Sequence, residues 1–91
     1  MKFQWDDGNI NKSWMKHGVS VEEAESIWLD NGHKIVVSRI TTSNELRFVC
    51  VGMSDESRLL SVIFTFRNGN LIRPISARPS NKKEKELYHG N

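Results

Sequence analysis

The stretch Phe64-Thr65-Phe66-Arg67-Asn68-Gly69-Asn70-Leu71-Ile72-Arg73-Pro74-Ile75-Ser76-Ala77-Arg78 decides the fold of this chain. Two apolar, β-prone runs flank Asn68-Gly69-Asn70. Asn-Gly is the strongest short-range hairpin signal, because both residues tolerate positive φ. The pattern predicts a hairpin with one strand over Leu59–Arg67 and the next over Leu71–Arg78. Pro74 cannot donate a ladder bond, so the second strand must be an edge there or carry a bulge. Arg67, Arg73 and Arg78 lie in or beside this hairpin. Cations on strands must face solvent or an anion, and the planar guanidinium fork fits phosphate. The hairpin therefore reads as the support of a phosphate-binding face.

Upstream of the hairpin, apolar runs predict strands over Lys34–Ile40 and Leu46–Met53, with Ser54–Ser57 as a polar turn. Short polar connections make an antiparallel meander of four strands the natural pairing. Downstream, Pro79-Ser80 breaks the last strand, and Ser80 can cap a final helix running to Tyr88. Lys82, Lys83 and Lys85 then point to solvent, with Leu87 and Tyr88 inward. At the other end, Phe3 and Trp5 alternate and suggest a short strand over Met1–Trp5. Asp6 or Asp7 can cap a helix from near Gly8 to His17, with Ile10, Trp14 and Met15 inward and Gly18 as its stop. Ser20-Val21-Glu22-Glu23 reads as a capping box, in which Glu23 reaches back to the cap. That second helix buries Val21, Ala24, Ile27 and Trp28 and ends at Asn31-Gly32. The result is an α+β chain in a single domain, residues 1–91.

A chain of 91 residues builds one modest core. No apolar run reaches the roughly 20 residues of a membrane span, and no signal-peptide pattern opens the sequence. With a single cysteine, Cys50, these features lead us to expect a cytoplasmic protein without a membrane role. Cys50 sits within Phe48-Val49-Cys50-Val51, where it reads as a small buried hydrophobe. The formal net charge of +2 is slight, but its distribution is uneven. Acids gather early, at Asp6, Asp7, Glu22, Glu23, Glu25 and Asp30; Arg47, Arg58, Arg67, Arg73, Arg78, Lys82, Lys83 and Lys85 come later. That asymmetry suggests one anion-facing surface.

Strand alternation places Arg47 and Arg67 on one sheet face, together with either Arg73 or Arg78, depending on register. The plain alternative is a set of surface arginines on a solvated face. His17 is a candidate proton carrier, since its ordinary pKa lies near neutrality; its plain alternative is a helix-end histidine capping the last carbonyls. No HExxH, paired CxxC or ligand-spaced acid cluster occurs, so no metal is expected. No Walker or GxGxxG loop occurs, so no nucleotide cofactor is expected. Trp5, Trp14 and Trp28 read as core anchors.

Several of these residues together resemble the BrnT family, small bacterial toxins of type II toxin–antitoxin pairs. The resemblance rests on Trp5-Asp6, Asn11, Lys16-His17-Gly18-Val19-Ser20, Glu22-Glu23-Ala24, Arg47-Phe48, Gly52, Arg58-Leu59-Leu60, Thr65, Arg67 and Ile75-Ser76-Ala77-Arg78. It runs from Phe3 to Tyr88. It implies a RelE-like α+β fold and metal-independent ribonuclease activity that blocks translation. It also implies a small antitoxin, BrnA, with a ribbon-helix-helix part that binds the operator DNA. By position, the resemblance marks Lys16, His17, Arg47, Arg67, Arg78 and Tyr88. In this reading His17, Arg47, Arg67, Arg78 and Tyr88 serve catalysis, and Lys16, Arg73, Lys82, Lys83 and Lys85 hold RNA. The chain departs from the family pattern at Leu46, Phe66, Pro74 and Lys85; its acid before Arg47 is Glu45, one place early. The competing function classes are a nucleic-acid-binding module without chemistry and a protein-interaction module.

Overall fold

The computed structural model describes residues 2–40 and 45–90, without the side chains of residues 39 and 40. In chain order the elements are β1 (Lys2–Phe3), α1 (Lys12–His17), α2 (Val21–Ser26), a 3₁₀ turn (Ile27–Leu29), β2 (Lys34–Ile40), β3 (Leu46–Met53), β4 (Leu59–Arg67), β5 (Leu71–Pro79) and α3 (Lys82–His89). Strands β2 to β5 form the expected antiparallel meander, and β1 adds to β5 in parallel, giving the order β1-β5-β4-β3-β2. The hairpin turn forms as its sequence dictates: Asn68 and Gly69 take φ of 47° and 83°, values open to Asn and Gly at little cost.

Pro74 carries the bulge. Ile63 pairs with Ser76 and Phe64 with Pro74, so Ile75 is an extra residue in β5. An extra residue inverts the alternation beyond it. Ile72, Pro74 and Ala77 consequently all lie buried on one face, while Arg73 opposite Thr65 and Arg78 opposite Ser61 share the other. The choice between Arg73 and Arg78 posed by strict alternation does not arise, because the bulge places both on the face of Arg67.

The first face carries the core. Cys50, Leu60, Val62, Phe64, Ile72 and Ala77 pack against Val19, Ala24, Ile27 and Trp28. Trp28 meets Phe3 and Phe64 edge-on, at 5.0 and 5.3 Å between ring centroids, a favoured aromatic geometry. Gly52 lets the 3₁₀ turn approach β3, since a Cβ there would lie 2.9 Å from the Ile27 carbonyl oxygen. Cys50 is buried and its thiol is pushed up to about 12, chiefly by burial, as a small core hydrophobe would be.

The helices depart from expectation in ways that have local causes. α1 starts at Lys12, not near Gly8. Asp6 holds the Gly8 N–H in a side-chain turn, and the buried Asn9 amide donates to the carbonyls of Gln4 and Pro74. Those bonds compete with helix formation. The expected inner face of α1 is outside: Trp14 is 57% exposed and Met15 84%. Its inward contact is polar, the Ser13 hydroxyl accepting the Ala77 N–H at 2.6 Å. α2 is capped by Ser20 as expected, but it gives way to the 3₁₀ turn after Ser26. The cap of α3 is Asn81, in a reciprocal box with Glu84; Ser80 is buried, with its hydroxyl on Ser61.

Candidate functional site

The second face is covered by α3 only toward its Leu59 end, where Glu84 bonds the Ser61 hydroxyl and the Arg78 fork. The rest of that face presents cations. At the Arg67 end, Glu45 lies between two arginines, accepting from Arg67 Nη1 at 2.8 Å and standing 3.6 Å from Arg47 Nε. The Arg47 Nε is buried and hydrogen-bonds to no described group. The Thr65 hydroxyl donates to the Leu46 carbonyl, tying β4 to the start of β3 beneath this cluster. A groove of about 450 Å³ opens here, lined by Glu45, Leu46, Phe48, Thr65, Phe66 and Arg67.

Arg73, facing the same way, forks onto Asp6 at 2.8 and 3.1 Å and reaches Gln4. That pairing holds the Asp6 carboxyl below its ordinary value. Arg78 forks onto Glu84 at 2.7 and 2.8 Å. Burial pushes Glu84 up, yet its bonds from Arg78, the Asn81 N–H and Ser61 outweigh that and lower it. Tyr88 donates to Asp30 at 2.7 Å, a bond that pushes its own phenol up and makes it a weaker acid. Lys82, Lys83 and Lys85 are exposed on α3 and form no ion pair among the described residues.

The expected site residues thus separate into two ends of one sheet. Arg47, Arg67 and Arg73 gather at the end where β3 begins; Arg78, Tyr88 and the α3 lysines lie at the other. Lys16 and His17 end α1 at that far side too, because the carbonyl of Gly18 accepts from Arg58 at 3.0 Å. Arg58 precedes β4 and Arg67 ends it, about 30 Å away at 3.3 Å per strand residue. The molecule itself measures 32 Å in its longest dimension. His17 and Arg67, both expected to serve catalysis, therefore lie toward opposite ends of the sheet.

The early acids do not form a separate pole either. Asp6 pairs with Arg73, and Glu23 with Arg58. Glu23 is 4% exposed, takes Arg58 Nε at 2.9 Å and Ser54 Oγ at 2.7 Å, and does not close a capping box. The partners that sequence reasoning missed are Glu23, which comes from α2 to Arg58, Glu84, which folds back from α3 onto Arg78, and Glu45, which reaches Arg67 on the neighbouring end of the sheet.

Glu23 is held below its ordinary 4.5, first by the Arg58 hydrogen bond. A carboxylate whose folded pKa is lowered adds stability that is present above its unfolded value and lost as pH falls through the folded one. We expect a melting temperature that is level above about pH 5 and drops as pH falls below 4.5, the common ordinary value of Glu23 and Glu84. Glu23→Gln should lose about 2–3 kcal/mol at neutral pH, because it leaves the guanidinium half-paired. It should also flatten the acid limb; thermal melts from pH 3 to 7 check both.

No three His, Cys, Asp or Glu side chains among the described residues come together as a metal cluster. No described helix is long and apolar enough to cross a membrane. A family model described as "Ribonuclease toxin, BrnT, of type II toxin-antitoxin system" matches residues 5–84. Among solved structures, the chain is similar to the 1.1 Å crystal structure of the Brucella abortus ribonuclease toxin BrnT, with a TM-score of 0.67 at 20% identity, over 90% of this chain and 99% of that one. At that identity the likeness speaks for the fold, which among the described residues is a small α+β domain with a five-stranded mixed sheet and three α-helices. No curated protein matches the sequence.

Proposed function

This chain belongs to the BrnT family of ribonuclease toxins of type II toxin–antitoxin systems, and from that premise we propose that it cuts RNA without a metal ion on the face carrying Arg47, Arg67 and Arg73. Cutting halts translation in the cytoplasm, and a BrnA-like antitoxin with a ribbon-helix-helix DNA-binding part neutralises the toxin. The observation that carries the reading is the convergence of Arg47 and Arg67 on one carboxylate, Glu45, at the rim of an open groove. A carboxylate between two guanidinium groups marks a place where a phosphate fits.

RNA carries its own nucleophile. The 2′-oxygen attacks the adjacent phosphorus while the bond from phosphorus to the 5′-oxygen breaks. In our reading the Glu45 carboxylate takes the 2′-OH proton, Arg47 and Arg67 stabilise the charge on the phosphoryl oxygens, and the departing 5′-oxygen takes a proton from water. The products are a 2′,3′-cyclic phosphate and a 5′-hydroxyl. Arg78, engaged by Glu84, and Tyr88, engaged by Asp30, act through the fold; Lys82, Lys83, Lys85 and Lys16 contribute attraction for flanking phosphates.

The test is cleavage in excess EDTA. We expect the purified chain to cut single-stranded RNA at an unchanged rate, with products ending in cyclic phosphate, and to leave 2′-deoxy-substituted RNA intact but bound. Cleavage that stops in EDTA and returns with magnesium would refute the mechanism. Binding without any cleavage would favour a nucleic-acid-binding module.

A further inference from the structure

The two edges of the sheet are finished differently. At β5 the edge is closed, by β1 over Leu71 and Ile72 and by the Ser13 hydroxyl on the Ala77 N–H. Among the described residues the β2 edge is open, since β2 is last in the order and pairs with β3 alone. The strand reads Lys34-Ile35-Val36-Val37-Ser38-Arg39-Ile40, without an acid. An apolar strand edge of this kind is a template for another chain. Beside it runs an exposed apolar strip on the first face, the one that carries the core. Val37 is 59% exposed and pairs with Phe48, and the Phe48 ring lies 5.2 Å from that of Phe66, itself 43% exposed. Ile35 and Leu46 extend the strip along β2 and β3.

We propose that the β2 edge and this strip are the docking surface for the antitoxin, which lays an extended, acid-bearing segment against β2. The proposal rests on membership of a toxin–antitoxin family, which supplies a protein partner; the surface itself selects the mode of binding. Main-chain bonds to an open edge give affinity, and alternate side chains entering the strip give specificity. Charge selects an acidic strand over a second copy of β2, because a β2–β2 pair joins four cations with no carboxylate from either strand. The strip also leads somewhere. It ends in the groove walled by Leu46, Phe48 and Phe66 on one side and by Glu45 and Arg67 on the other. A segment following the strip therefore arrives at the arginine pair, which explains how binding at an edge silences chemistry at the face.

The experiment uses Val37→Glu, a change at an exposed position outside the cleavage machinery, with Ile35→Glu as the second variant. The probe is the product of the reading frame adjacent to this one, titrated against parent and variant chains. RNA cleavage and melting of each variant are measured alongside. We expect both variants to melt and cut RNA like the parent while the partner's affinity falls by about a hundredfold, so that co-expression no longer restores growth. Affinity within a few-fold of the parent in both folded variants would overturn the proposal. Light scattering supplies a further outcome: a parent dimer that Val37→Glu splits would give the edge to a second copy and overturn it as well. A parent chain that ignores the neighbouring product altogether would refute the partner reading itself, and the docking surface with it.

Discussion

We expect Arg67→Ala to lower the single-turnover rate of RNA cleavage by about 10²–10³-fold, the effect of removing one donor aimed at developing charge, about 2.7–4 kcal/mol. The melting temperature stays nearly where it was. Arg67 has a side chain 40% exposed, its partner among the described residues is Glu45, and Glu45 retains Arg47, so we expect a stability change within about 0.5 kcal/mol. Arg67→Lys restores only part of the rate, because a point charge replaces a planar fork. Arg78→Ala behaves in the opposite way. It leaves Glu84 with the Ser61 hydroxyl but without its fork, so we expect it to cost about 2 kcal/mol of stability and to lower toxicity only as the folded fraction falls. Parallel measurement of cleavage and melting separates the two arginines. An Arg67→Ala chain that cuts at the parent rate would remove the arginine face from the mechanism.

The second large effect belongs to Glu45. Glu45→Gln keeps the shape of the side chain and its reach to Arg67 Nη1 but gives up the proton acceptor. We expect a loss of about 10²–10⁴ in cleavage rate, the range for one general acid or base. Affinity for 2′-deoxy-substituted RNA should hold or tighten, because a negative charge is removed from between Arg47 and Arg67. His17→Gln, at the far end of β4, should cut within a few-fold of the parent. If instead His17→Gln is the inactive chain and Glu45→Gln the active one, the proton carrier sits on α1 and RNA must cross the molecule at its other end. The two variants make the reading decidable with one assay and one binding measurement.

Much of the strand architecture was legible in sequence because strand signals are local. The bounds of β2, β3 and β4 follow from apolar runs closed by polar turns, and the β4–β5 turn follows from Asn68-Gly69 alone. Pro74 was legible as an irregularity, for it cannot donate. Its consequence was less so. Whether a proline marks an edge or a bulge depends on which strands lie on either side, and here β1 from the start of the chain occupies the edge beside Leu71 and Ile72. α1 misled for a related reason. Ile10, Trp14 and Met15 have helical spacing, but spacing names a face without saying that anything covers it; Ser13 and Asn9 make the inward contacts.

The candidate site shows the same division. Residue type and strand alternation put Arg47 and Arg67 on one face, and sequence resemblance alone reached the family to which the chain belongs. Which arginines stay open to a ligand was decided only by the fold. Asp6, Glu23 and Glu84 come from distant segments or the last helix to engage Arg73, Arg58 and Arg78, while Glu45 gathers Arg47 and Arg67 at a groove. Periodicity is a property of a few neighbouring residues, so sequence by itself determined the strands of the meander and their turn, while the family came from the resemblance. An ion pair forms between charges brought together by closure of the whole chain, and a bulge changes the facing of every residue beyond it. For that reason only the tertiary structure decided that His17 stands at the opposite end of the sheet from Arg67, and that Arg73 and Arg78 share one face.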